Sequence, residues 1–165
     1  MADEHSFDVT CKVDLQEVSN AVNQTMKEIE QRFDFKGSKS AIDLDKAKGV
    51  LTVTSEDDYK LKSVVDILET KMVKRGIAMK ALSYGNVEPA TGSTVRQKIT
   101  LQQGIPIEKA KEIAKLIKEM KMKVNAEIQS DQLRVKAKKI DDLQVVIEKL
   151  KEKDFGIHIQ ITNYR

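Results

Sequence analysis

The 165-residue chain has no tryptophan, three tyrosines, four phenylalanines and one cysteine, Cys11. So few rings argue against a binding surface made of several stacking platforms. A lone cysteine excludes an internal disulfide and fits a reducing cytoplasm. No apolar run approaches the roughly 20 residues of a membrane span, so no membrane contact is expected. The opening MADEHSFDVT has neither a basic nor an apolar leader segment, which points to a cytoplasmic protein. The two histidines, His5 and His158, are far apart, and Cys11 alternates with apolar residues. Neither a metal site nor a Cys–His nucleophile pair is indicated. Phosphate loops of the GxGxxG and GxxxxGK[ST] types are missing as well. The expectation is a non-enzymatic protein with no cofactor.

What the chain does have is an internal repeat. Residues 50–68, VLTVTSEDDYKLKSVVDIL, align with residues 132–150, QLRVKAKKIDDLQVVIEKL, placing Leu51 on Leu133, Val53 on Val135, Val64 on Val146 and Leu68 on Leu150. Each segment is an alternating strand followed by an amphipathic helix, so one α/β unit has been duplicated. Apolar residues at 40% suffice for a core, and charged residues at 33% for a solvated surface. Gly, Asn, Pro, Thr and Ser cluster over 85–93, which divides the chain into units 1–88 and 89–165.

Periodicity orders both units alike. In the first, Ser6–Val13 alternates as a strand and Asp14 caps a helix with Leu15, Val18, Val22, Met26 and Ile29 inward. Strands follow at Ser40–Asp45 and Val50–Thr54, joined by a turn ending in Gly49. Ser55 is the expected cap of a helix carrying Leu61, Val64, Val65, Leu68 and Met72, which Gly76 closes before a strand at Met79–Tyr84. The second unit has strands at Thr94–Gln102, Lys123–Gln129, Leu133–Lys138 and Ile157–Asn163, with helices from Pro106 and over Ile140–Lys153. The fold class is α+β: two ferredoxin-like β-α-β-β-α-β units, each a four-stranded antiparallel sheet with both helices on one face.

Charge separates the repeats. Residues 1–88 carry 13 basic and 16 acidic residues, and residues 89–165 carry 16 and 10. The outward side of the second sheet is expected to present Arg134, Lys136 and Lys138, then Lys123 and Asn125, with Arg96 and Lys98 on its first strand. Cations interleaved with Asn, Gln and Thr suit phosphates and base edges; a solvated charged face is the plain alternative. A second candidate is Arg32-Phe-Asp-Phe-Lys-Gly37, where a ring could stack a base while Arg32 and Lys36 take phosphate. Phe33 continues the apolar helix stripe and is expected in the core, leaving Phe35 more open. Asp57-Asp58 and Asp141-Asp142 suit the first turns of helices better than a metal.

Specific segments resemble the YajQ family of small bacterial proteins over nearly the whole length. They are Ser6-Phe-Asp8, Val13-Asp-Leu-Gln-Glu-Val18 with Asn20-Ala21, Arg32-Phe-Asp-Phe-Lys-Gly37, Lys74-Arg-Gly-Ile77, Lys121-Met-Lys-Val-Asn-Ala126 with Ile128-Gln129, Asp141-Asp-Leu-Gln144, and Gln160 with Asn163-Tyr164-Arg165. The resemblance implies two ferredoxin-like domains that exchange their N-terminal strands, which would bring Ser6, Asp8, Thr10 and Lys12 to the second sheet. It implies nucleotide binding: a cyclic dinucleotide such as cyclic-di-GMP, or GTP or ATP, with tRNA as an alternative ligand and a transcription regulator as a protein partner. Arg32, Phe35 and Lys36 match its motif.

Overall fold

The computed structural model describes residues 4–165. Its elements are β1 (His5–Thr10), α1 (Leu15–Gln31), β2 (Ala41–Asp45), β3 (Val50–Ser55), α2 (Asp58–Lys74), β4 (Leu82–Tyr84), β5 (Glu88–Ala90), β6 (Thr94–Leu101), α3 (Ile107–Glu119), β7 (Val124–Gln129), β8 (Gln132–Ala137), α4 (Ile140–Glu152) and β9 (Gln160–Thr162).

Local chemistry sets the boundaries. The Asp14 carboxylate accepts from the N–H groups of Gln16 and Glu17 at 3.0 and 3.3 Å, satisfying donors that the start of α1 leaves over. The cap of α2 is Asp57, which accepts from Lys60 N–H at 2.7 Å. Ser55 does not cap it. That residue is the buried last position of β3, opposite Val95, and its hydroxyl meets that of Ser40 at 2.9 Å. Gly76, at φ 82°, ends α2: its N–H reaches Val73 O, and Ile77 N–H reaches Met72 O, both at 3.0 Å. This is the paired-bond motif that needs a left-handed residue.

Two antiparallel sheets result. One has the order β7-β8-β1-β9; the other has β2-β3-β6-β4, with β5 also paired to β6. With β1 or β6 as first strand, each is the ferredoxin-like order. The N-terminal strand therefore lies in the second repeat's sheet, between β8 and β9, and β6 fills the equivalent place in the first repeat's sheet. Space divides the chain differently from the repeats at 1–88 and 89–165. The continuous unit is Val13–Gln102; the split unit joins the N-terminal segment through Lys12 to Gln103–Arg165.

Each unit has its own core. In the continuous unit, Val18, Leu51, Val53, Val64, Leu68, Met72 and Ile99 are buried in one cluster. In the split unit, Phe7, Val9, Ile113, Leu133, Val135, Leu143 and Leu150 form the other. The exchange redistributes charge. Counted along the sequence, the continuous unit holds 14 basic and 13 acidic residues and the split unit 15 and 13. The polarity of the repeats is thus nearly absent from the folded units. Arg96 and Lys98 belong to the continuous unit's sheet, where Arg96 pairs with Glu88 at 2.9 Å, and not to the face expected from the repeat.

Phe33 and Phe35 exchange their expected places. Phe33 is 87% exposed and Phe35 only 4%. The helical stripe ends at Gln31 because Arg32 turns extended, at ψ 131°, and a 3-10 turn over Phe33–Phe35 follows. That change of backbone carries Phe33 off the buried side and puts Phe35 into the core.

Candidate functional site

The outward face of the split unit is built by strand alternation. Leu133, Val135 and Ala137 point into the core, so Arg134 and Lys136 point out. Opposite them stand Glu127 and Asn125 of β7 on one side and Asp8 and Ser6 of β1 on the other.

Arg134 is engaged within the fold. Its Nε donates to Asp8 Oδ1 at 2.9 Å and a terminal nitrogen to Oδ2 at 3.4 Å; Asn163 donates to the same carboxylate at 3.0 Å. Asp8 is only 5% exposed. The Arg134 hydrogen bond holds its carboxyl below the usual carboxylate range, although burial pushes the other way. Asp8 in turn raises the Arg134 guanidinium. The bridge spans 126 positions and exists only because β1 has joined this sheet.

The other predicted residues of this face converge. Lys123, Asn125, Lys136 and Lys138 line a cleft of about 840 Å3 where β7 begins and β8 ends. Lys121 and Lys139 line it too, with Met122, Val124 and Ala137 as apolar surface and Glu4 and Asp142 as the acids. Five lysines face two carboxylates. Lys136 lies 3.6 Å from Glu127; among the described residues, Lys121, Lys123, Lys138 and Lys139 have no carboxylate partner. A recess lined by one sign of charge concentrates its field on an entering ion of the other sign. The start of α4, without a side-chain cap, borders the cleft through Lys139 and Asp142.

Arg32, Phe35 and Lys36 lie in the continuous unit, so the eight predicted residues fall into two sets, one in each compact unit. Arg32 donates twice to Asp34, at 3.0 and 2.9 Å, and stands 5.3 Å from the Phe35 ring centroid. Lys60 Nζ lies 4.7 Å from the same centroid and donates to Asp34 O. The buried ring thus carries cations and presents no open face to a base. Lys36 is exposed. The following loop is fastened by Glu56, which accepts from Ser38 hydroxyl at 2.8 Å and Lys39 N–H at 3.0 Å. Burial opposes ionisation of Glu56, but these donors together hold it below the usual value.

Periodicity missed Lys121 and Lys139, which lie outside the strands, at the entry to β7 and the exit from β8. The Lys121-Met-Lys-Val-Asn-Ala126 match to the family already bracketed the first of them.

A duplicated ferredoxin-like fold with exchanged first strands and a lysine-lined cleft defines the class of protein. The chain belongs to the YajQ family: the family model described as "Nucleotide-binding protein YajQ-like" matches residues 5–165. A relative from Geotalea uraniireducens (strain Rf4), named "Nucleotide-binding protein", is 59% identical over 97% of this chain and 98% of its own. Relatives of the same name from Carboxydothermus hydrogenoformans and Desulfitobacterium hafniense (strain DSM 10664 / DCB-2) are 54% and 56% identical over the full length of both chains. Among the described residues, no helix is long and apolar enough to cross a membrane.

Proposed function

We propose that this chain binds a nucleotide through its phosphates in the lysine cleft, without turning it over. The observation that carries this is the convergence of Lys121, Lys123, Lys136, Lys138 and Lys139 on one cleft, four of them without a carboxylate partner among the described residues. The names of the family and its relatives, which are not those of enzymes, support it. The cleft volume lies within the roughly 300–1,000 Å3 typical of small-molecule sites. Met122 and Val124 offer apolar contact, and the Asn125 amide can meet the hydrogen-bonding edge of a base. A cyclic dinucleotide suits several separated ammonium groups better than a mononucleotide does; GTP and ATP are the next choices. A protein partner, such as a transcription regulator, then distinguishes the bound from the free state.

Structured RNA is the second candidate, favoured by Lys115 and Lys118 on α3, which extend the positive lining beyond the cleft. Salt separates the two: RNA held by many phosphates loses affinity steeply as salt rises, and a dinucleotide only shallowly.

The test is a thermal-shift panel of cyclic dinucleotides, GTP, ATP, tRNA and inorganic phosphate. A ligand that binds only the folded chain adds about 2.7 kcal/mol at 100 times its dissociation constant. The proposal expects a saturable shift from one nucleotide that phosphate alone does not reproduce. Equal shifts from all anions, or none, would overturn it. So would nucleotide hydrolysis abolished by a single point mutation.

A further inference from the structure

Strand β7 is the outer strand of its sheet. It pairs with β8, and no described strand lies along its other side. One row of its backbone N–H and C=O groups is left to water. The lysine cleft lies at the start of this edge, where β8 ends. A second groove, of about 620 Å3, lies between β7 and α3, lined by Ala114, Ile117, Met122 and Ala126 with Lys115 and Lys118. The two share Met122, Val124 and Asn125, so they meet along the edge. The inward side of β7 is poorly covered: Ile128 is 38% exposed and Val124 and Ala126 are half-buried, whereas Leu133, Val135 and Ala137 of β8 are buried.

We propose that an extended segment of a partner protein, with acidic and apolar side chains alternating, adds to β7 as a further strand. Successive side chains of an added strand point to opposite faces of the sheet. With the segment placed over the start of β7, one set meets Lys121 and Lys123 beside Asn125, with Lys138 beyond them at the end of β8, and the other enters the groove against Ile117 and Ala126. The two clefts together present seven lysines against Glu4 and Asp142, and Glu127, further along β7, is met by Lys136 at 3.6 Å, so acidic residues are the complement on charge at the start of the strand. A second copy of β7, paired antiparallel, would set Lys123 against Glu127 or Gln129, and is told apart by its dependence on the concentration of the chain itself. The segment's acids and a nucleotide's phosphates use the same lysines, so the two exclude each other.

The probe is a capped, fluorescein-labelled hexapeptide alternating Glu and Val, titrated against the full chain by anisotropy. Its controls are a peptide of the same composition with Glu and Val in blocks, and two peptides N-methylated on one or the other alternate set of amides. The alternating peptide is expected to bind at least about tenfold more tightly than the blocks, and Lys123→Glu to weaken it by about tenfold or more. Methylating the amides that face β7 is expected to abolish binding, and methylating the other set to spare it. Equal binding by alternating and block peptides, equal response to both methylations, or no binding at about 1 mM overturns the proposal. Protection of β7 amides that grows with the concentration of the chain itself also overturns it, because the edge then receives a second copy.

Discussion

Replacing Phe7 by alanine separates the repeat of the sequence from the unit of the fold. Phe7 lies in the first repeat, yet it is fully buried in the cluster with Leu133, Val135 and Leu143 of the second. Removing a buried phenyl ring and leaving its cavity costs about 3–5 kcal/mol. At about 1.4 kcal/mol per factor of ten, amides that exchange by opening of the split unit should exchange roughly a hundred to several thousand times faster. The assay is native-state hydrogen exchange followed by mass spectrometry, comparing peptides from α4, β7 and β8 with peptides from α1, β3 and α2. The loss of protection is expected in the first group. Ile99→Ala, fully buried in the other core, is the mirror experiment and should loosen the second group by about 2–5 kcal/mol. Loss of protection around α1 and α2 in Phe7→Ala, with α4 and β8 unchanged, would refute the strand exchange.

Three further outcomes are expected. Asp8, whose carboxyl is held below its ordinary value by Arg134, contributes stability that is present above about pH 4 and lost as pH falls through the folded-state value; in urea titrations Asp8→Asn should therefore lose stability at pH 7, and its deficit should shrink as pH falls below about 4. Phe35→Ala should cost about 3–5 kcal/mol in denaturant unfolding, while Phe33→Ala should change it by about 0.5 kcal/mol or less. The Cys11 thiol, which burial pushes up to about 11, should react with iodoacetamide at pH 8 far more slowly in the folded chain than in urea.

Much of the architecture is visible in the sequence because period-2 and period-3.6 patterns report which side of an element is buried. They place Leu51 and Val53, and again Leu133 and Val135, toward a core, and Asp14 and Gly76 mark helix ends by side-chain and backbone chemistry of their own. Alternation says which face of a strand is apolar but not which sheet it joins. β1 and β6 carry similar patterns, so their exchange is legible only through the resemblance to a family. Periodicity misplaces Phe33 and Phe35 because the stripe of α1 continues past its last helical residue, where a single extended Arg32 redirects the chain. The cleft was half legible. Lys123, Asn125, Lys136 and Lys138 follow from strand alternation, but Lys121 and Lys139 sit on connecting backbone with no period. Nothing local to Arg134 announces that Asp8 will occupy its guanidinium, because the partner is supplied by the exchanged strand.

The most direct test of nucleotide binding in the lysine cleft is calorimetric titration of the best nucleotide from the panel into the parent chain, Lys123→Ala, Lys138→Ala and Lys62→Ala. A charge-assisted hydrogen bond to phosphate contributes about 1.5–3 kcal/mol when well formed, so each cleft variant should bind about tenfold or more weakly. Lys62, exposed on α2 of the continuous unit, should leave binding unchanged. Parent-like binding by Lys123→Ala and Lys138→Ala, together with loss in Arg32→Ala or Lys36→Ala, would contradict the account and place the nucleotide on the Arg-Phe-Asp-Phe-Lys-Gly segment.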